Sequence, residues 1–239
     1  MRAASGFLVS LGLLLALALA PEVFRPLLAL LNDAGQPVIY ERQPLVRLLG
    51  AHVLVVAAAG AVAVSVAVTL GVLVTRARGG EFMTLARMVS NLGQTFPPIA
   101  VLAVAVPIVG FGFEPTFIAL CAYGLLPVFE NTVAGLRGVP ATTLEAARGM
   151  GLSRAAILRQ VELPLAAPVI LAGIRVSTII NIGTATIGST VGAKGLGEVI
   201  IAGLQAGNQA YIAQGAVLVA LLAIAFDTGF RLLETGGLR

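Results

Sequence analysis

Residues 51–74 read AHVLVVAAAGAVAVSVAVTLGVLV, without one charged side chain. Crossing the hydrocarbon core of a bilayer takes about 20 mostly apolar residues in a helix, and this run is long enough. Lipid offers no partner to backbone N–H and C=O groups, so such a run must close its own hydrogen bonds as a helix. Comparable runs follow the same rule at Phe7–Ala20, Val89–Gly110, Thr116–Val133, Ala167–Ser189 and Tyr211–Leu233. The chain therefore reads as an all-α, polytopic membrane bundle. Composition agrees: 58% of its 239 residues are hydrophobic and 11% charged, whereas soluble domains carry roughly 25% charged residues. Its mean hydropathy is +1.00.

The first run is short and has a second reading. Arg2 followed by an apolar stretch ending in Ala18-Leu19-Ala20 also fits a cleavable signal peptide. Pro21 directly after that cut argues against cleavage. An uncleaved anchor with six transmembrane helices is the expectation, and five after cleavage the alternative. Residues 1–50 then form an N-terminal anchor helix and an external loop, and 51–239 a transmembrane domain with a polar loop at 134–166.

Charge sets orientation, since Lys and Arg concentrate in cytoplasmic loops. With the amino terminus inside, Arg2, Arg76, Arg78, Arg87, Arg137, Arg148, Arg154, Arg159, Arg231 and Arg239 lie on the cytoplasmic side. Only Arg25, Arg42, Arg47 and Lys194 lie outside, and Arg175 falls within a span. Both termini are thus expected in the cytoplasm if the first helix is retained. The net charge of +4 comes from basic residues spread singly between apolar runs, which gives no nucleic-acid signal.

Several chemistries are excluded. The single cysteine, Cys121, allows neither a disulfide framework nor a cysteine metal site. His52, the single histidine, reads as a packing or interfacial residue. The one lysine, Lys194, is followed by Gly195, so the sequence lacks a loop whose glycines and Lys-Ser/Thr would cradle phosphates. No span carries the paired acids of a proton relay. Glu130 and Asp227 are the acids nearest membrane depth, and Asp227 has Arg231 one turn away, as an i,i+4 ion pair requires.

The loop at 134–166 carries the strongest pattern. Thr142 and Glu145 have capping-box spacing, predicting a helix start. Gly151 suits the left-handed residue that ends a helix. Ser153 suits the cap of a second helix running through Ala155, Ile157 and Leu158 until Pro164 stops it. Ala146 and Ala147 leave a shallow surface for close approach of another protein. On these residues alone, an ordinary capped surface loop fits equally well.

The run Glu145-Ala146-Ala147, then Gly151, then Val161-Glu162-Leu163-Pro164 resembles the EAA signature of ATP-binding-cassette importer permeases. That signature is EAA, three residues, Gly, nine residues and Ile-x-Leu-Pro, and only Val161 departs from it. From about residue 50 onward the chain resembles the glycine betaine, choline and osmoprotectant permeases. The stretches that carry this are Gly93-Gln94-Thr95-Phe96-Pro97-Pro98, Tyr123-Gly124-Leu125-Leu126-Pro127-Val128, residues 162–175, Asn181-Ile182-Gly183-Thr184-Ala185-Thr186-Ile187-Gly188 and Lys194-Gly195-Leu196-Gly197. The loop before residue 50 and Glu130 depart from that pattern. The resemblance implies a type I importer permease of a bacterial inner membrane, itself no enzyme. Glu145, Ala146, Ala147, Gly151, Val161, Leu163 and Pro164 would couple it to a cytoplasmic ATPase. It further implies two ATPase subunits holding ATP and Mg, no cofactor in this chain, a second permease copy or paralogue, and an extracytoplasmic substrate-binding protein.

Candidate path residues follow from polarity at membrane depth. Ser177, Asn181, Thr184 and Gly188 share one face of the fifth span, and Asn91, Gln94 and Thr95 precede Pro97-Pro98 in the third. Interhelical packing and a pore-lining role both fit the first group, and a mere kink and a bent, path-lining helix both fit the second. With no tryptophan, and Tyr40, Tyr123 and Tyr211 far apart in sequence, an aromatic cage for a quaternary ammonium is not expected within this chain. The rival readings are a permease for an amino acid such as methionine, a stand-alone secondary transporter and a membrane scaffold.

Overall fold

In the computed structural model, residues 2–32, 35–76 and 79–236 are described. Long helices dominate: α1 (Arg2–Leu19), α3 (Leu45–Val74), α6 (Phe113–Arg137), α9 (Leu163–Ala185) and α11 (Gln209–Gly236). Between them lie α2 (Arg25–Ala29), α4 (Met83–Thr95), α5 (Pro98–Val109), α7 (Ala141–Gly149), α8 (Arg154–Ile157) and α10 (Gly197–Ala206). The expected charges at Arg78 and Arg239 lie outside the described residues.

Among the described residues, four helices are long and apolar enough to cross a membrane, and two bent pairs raise the count to six if each pair makes one span. One pair is α1 with the segment Pro21–Ala29, bent by 103°. The other corrects the expected single span at Val89–Gly110. It is a broken helix: Gly80–Thr95 and Pro98–Val109 meet at 96°. Each proline drives the residue before it out of the helical region. Pro97 therefore places Phe96 at φ −98°, ψ 139°, and Pro98 places Pro97 at φ −59°, ψ 140°. Two successive extended residues turn the chain where one proline would only have kinked it.

The centre is α3, α6 and α9, with α11 against α9 and α1 against α11. Apolar burial gains little between helices already solvated by lipid, so close packing of small residues must hold them together. Along α3, Ala59, Ala63 and Ala67 are fully buried at four-residue spacing, and Gly71 continues the row. A Cβ on Gly71 would lie 2.6 Å from Thr132 Cγ2 of α6. The α6–α9 seam is as tight, since a Cβ on Gly173 would lie 2.6 Å from Asn131 Cβ and 2.8 Å from the Pro127 carbonyl.

At one end of the bundle, residues 21–32 and 35–44 pack over α10 and the start of α11. Leu28, Ile39 and Ala210 form a small apolar cluster there. Polar ties reinforce it. Asn208 Nδ2 donates to the Pro37 carbonyl at 2.7 Å, Asn32 Nδ2 donates to Asn208 Oδ1 at 3.1 Å, and the Tyr40 N–H donates to Gln214 Oε1 at 3.0 Å. Tyr40 also donates its hydroxyl to Glu198 at 2.7 Å. Burial, then this bond to a carboxylate, raise the Tyr40 pKa above the usual phenol range. His52, fully buried, latches α3 onto the same end: its Nε2 meets the Ile182 carbonyl at 3.0 Å while Nδ1 accepts the Leu196 N–H at 3.3 Å. That is the packing role expected of it.

Candidate functional site

At the opposite end, α6 stops at Arg137 and the chain enters the motif-bearing loop. The expected capping box does not form. Pro140, extended at ψ 134°, occupies the cap position, and its carbonyl accepts the Thr143 and Leu144 N–H groups. The helix thus begins at Ala141, and Thr142 and Glu145 lie within it rather than bracketing its start. Its other terminus matches the expectation. Gly151 has φ +78°, its N–H bonds to the Arg148 carbonyl at 2.9 Å, and the Leu152 N–H reaches the Ala147 carbonyl at 3.2 Å. These two bonds make the paired closure of a Schellman turn, which needs a left-handed residue and therefore favours glycine. Ser153 then caps α8, accepting the Ala156 N–H at 3.3 Å.

The second helix of the loop does not stop at Pro164. A π-helical turn, Leu158–Glu162, joins α8 to α9, so that one helical stretch runs from Arg154 into the bundle. A proline ring clashes with the carbonyl four residues back. Widening the preceding turn is a known way for a helix to absorb such an insult. This turn presents Glu162, which is buried and pairs with Arg76 at the end of α3, 2.6 Å from Nη1. Arg76 is itself held by the Val72 carbonyl and the Thr75 hydroxyl.

The motif residues therefore divide. Glu145, Ala146 and Gly151 are exposed on a projecting knuckle beside Met150, which is 73% exposed. Ala147 is buried, so the shallow surface expected from both alanines is offered by Ala146 alone. Val161, Leu163 and Pro164 belong to the stem, where Leu158 and Leu163 pack against Leu136, Ala166 and Ile170. The stem runs continuously into α9, and the Glu162–Arg76 pair ties it to the end of α3.

The two groups of expected path residues are placed differently. In α9, Ser177 and Asn181 are buried and spend their polar atoms on α6: Ser177 Oγ donates to the Gly124 carbonyl at 3.0 Å and Asn181 Nδ2 to the Leu120 carbonyl at 3.1 Å. Asn181 Oδ1 is buried with no hydrogen-bond partner among the described residues. Thr184 is half-buried, and Gly188 packs on Thr116. A cavity of about 410 Å³ lies beside this helix. Its walls carry no charge and are mostly apolar, with Val56, Gly60, Ile174 and Phe226 among them, and Ser65, Thr178 and the predicted path residue Ser177 also line it.

In α4, Asn91, Gln94 and Thr95 are exposed. Met83, Ala86, Ser90 and Gly93 form the packed face of this helix, and a Cβ on Gly93 would lie 2.2 Å from the Ala122 carbonyl of α6. At 100° per residue, Thr84, Arg87, Asn91, Gln94 and Thr95 fall together on one flank of that face. Leu85, Met88, Val89 and Leu92 fall on the other and are exposed. Gln94 Nε2 donates to the Tyr123 carbonyl at 2.8 Å, and the Tyr123 hydroxyl donates to the Phe96 carbonyl at the break.

Three charge contacts were out of reach of the sequence. Arg76–Glu162 and Arg87–Glu130 join residues 86 and 43 positions apart. Asp227 makes the expected pair with Arg231 at 2.9 Å and also meets Arg175 of α9 at 3.6 Å. Tyr40 and Tyr211, remote in sequence, do come together edge to face with ring centroids 5.5 Å apart. Both are buried, so the pair is core and not an open aromatic cage.

The model of the family described as "Binding-protein-dependent transport system inner membrane component" matches residues 67–236. The choline transport system permease protein OpuBB of Bacillus subtilis is 45% identical over 176 residues, covering 74% of this chain and 80% of OpuBB. The osmoprotectant import permease protein OsmY of Salmonella typhimurium is 41% identical over 177 residues, covering 74% of this chain and 75% of OsmY. Among solved structures, the MetNI methionine ABC transporter in an inward-facing conformation shares the fold, with a TM-score of 0.71 at 22% identity over 82% of this chain and 96% of that one.

Proposed function

The chain belongs to the family of binding-protein-dependent transport system inner membrane components, and on that premise we propose that it is the permease of an ATP-driven importer for an osmoprotectant of the glycine betaine or choline class. The α7 end faces the cytoplasm, as the arginine bias requires. Two ATPase subunits, holding ATP and Mg, dock there. A binding protein delivers solute at the α10 end, and a second permease copy or paralogue completes the path.

The observation that carries this reading is the projecting α7 knuckle, ended by Gly151 and tied to two helices. Exposed Glu145, Ala146 and Met150 offer a partner a small, shaped foothold. The Schellman turn and the Ser153 cap fix the angle between α7 and the stem. A displacement imposed on α7 passes through the π-helical turn to α9 and through Glu162–Arg76 to α3, so both helices move as one lever. Force therefore arrives from hydrolysis performed on another polypeptide. The substrate class rests on the names carried by the relatives at 41–45% identity, and the likeness to the methionine transporter supports the fold alone.

The test is uptake by the assembled complex in proteoliposomes loaded with ATP and Mg, offered radiolabelled glycine betaine, choline or methionine. ATP-dependent accumulation of a quaternary ammonium solute is expected. Accumulation of methionine alone, or ion-gradient uptake by this chain without the ATPase, would overturn the proposal.

A further inference from the structure

One half-exposed ion pair joins α4 to α6 near the end of the bundle that carries α7. Arg87 of α4 and Glu130 of α6 form a two-pronged contact, Nε to Oε1 at 2.5 Å and Nη2 to Oε2 at 2.9 Å. Their side chains remain 51% and 37% exposed in the isolated chain. Arg87 is the one charged residue of α4, and Glu130 sits about two helical turns, roughly 10 Å, inside the end of α6 at Arg137. Arginine can reach a membrane surface by extending its side chain, but a glutamate at that depth is too short to follow. Glu130 lies three residues inside the apolar run Thr116–Val133 and Arg87 just outside Val89–Gly110, so the pair sits at the cytoplasmic edge of the spans, where its charges face protein or water and not hydrocarbon. Arg87 also lies on the polar flank of α4 that carries Asn91 and Gln94, about two and a half turns before the break at Phe96-Pro97. The Asp227 cluster differs, since it involves three charges and is tucked between α9 and α11 with Asp227 only 26% exposed.

We infer that Arg87 and Glu130 form a solute-exchangeable ion pair on the translocation path, selecting zwitterions that carry both a carboxylate and a quaternary ammonium. This inference rests on the proposed import of quaternary ammonium solutes. The solute's carboxylate takes the forked N–H groups of Arg87, a geometry that matches a guanidinium bidentately. Its ammonium takes the Glu130 carboxylate by charge. No charge is left unpaired while the solute opens the pair, so the desolvation penalty of a lone ion is avoided. A cation without a carboxylate, such as choline, leaves Arg87 without a partner at that step and passes less readily.

The experiment uses the assembled transporter in proteoliposomes with the binding protein saturated by solute, comparing glycine betaine with choline. Arg87→Gln is expected to lower the betaine-to-choline uptake ratio about tenfold, the size of one lost charge-assisted hydrogen bond. Glu130→Gln is expected to slow both solutes. An equal loss of both in Arg87→Gln, or full recovery of both by the charge-exchanged Arg87→Glu/Glu130→Arg protein, makes the pair a structural pin and overturns the inference. Loss of the second permease copy from purified Arg87→Gln complex assigns the pair to an interface and overturns it too. If Arg87→Gln does not assemble, Arg87→Lys keeps the charge without the fork, and the ratio is expected to fall several-fold; an unchanged ratio again refutes the idea. Failure of the unsubstituted transporter to import either solute defeats the functional proposal itself, a separate outcome.

Discussion

Substitution at Gly151 separates backbone strain from partner contact. Gly151 holds φ +78°, and a Cβ built there meets nothing within 4 Å. Within this chain the cost of a side chain is therefore conformational alone. For alanine it is about 1–2 kcal/mol, the usual penalty of an L-residue in the left-handed region. Asparagine visits that region more readily and should cost less, and a β-branched valine should cost most. One to two kcal/mol shifts a local equilibrium roughly 5- to 30-fold. The Schellman turn would open in a matching share of molecules, and α7 would lose its fixed angle to the stem. α7 is peripheral, so the melting temperature of the whole bundle should move little. Solute-stimulated ATP hydrolysis by the assembled complex should fall in the order Gly, Asn, Ala, Val. If asparagine is as damaging as valine, the side chain blocks docking and the backbone argument fails. If alanine is harmless, the left-handed turn does not transmit force.

Other consequences are as direct. Glu162→Gln leaves Arg76 facing a neutral amide in a half-buried site, and about 2 kcal/mol should be lost; thermal melting of the purified permease measures it, and Arg76→Met/Glu162→Leu should recover much of the loss. Gly173→Ala forces α9 away from Pro127 and Asn131 of α6 and should cost about 1–3 kcal/mol by the same assay, while Gly183→Ala, in the same helix with nothing within 4 Å of the added Cβ, should be neutral or mildly stabilising. Tyr40 has its pKa raised in the fold, so its contribution is fully present below the unfolded phenol value of about 10 and is lost as pH climbs from there through the folded value. Melting should therefore drop more steeply above pH 10 in the unsubstituted protein than in Tyr40→Phe; identical profiles would remove Tyr40 from the tie between residues 35–44 and Glu198.

Local chemistry was legible along the chain because lipid makes it local. A backbone that must satisfy itself within each segment writes its spans as apolar runs, and α3, α6, α9 and α11 appear where those runs predict. Gly151 and Ser153 were equally plain, since a left-handed turn and a hydroxyl cap act within a few residues. Even local reading failed where two signals competed: Pro140 took the cap position from Thr142, and Pro97-Pro98 gave two extended residues and a 96° corner in place of one bent span.

What the tertiary structure decided is which faces meet. Ser177 and Asn181 share a helical face by arithmetic, but only the approach of α6 turns that face inward onto the Gly124 and Leu120 carbonyls. The partnership of Arg87 with Glu130, and of Arg76 with Glu162, depends on helix order and rotation within the bundle. In a membrane those are settled by small residues and single polar contacts between distant segments. A sequence announces that a segment spans because that demand is met by its own atoms; it is silent on which neighbour the segment faces, because that demand is met by someone else's.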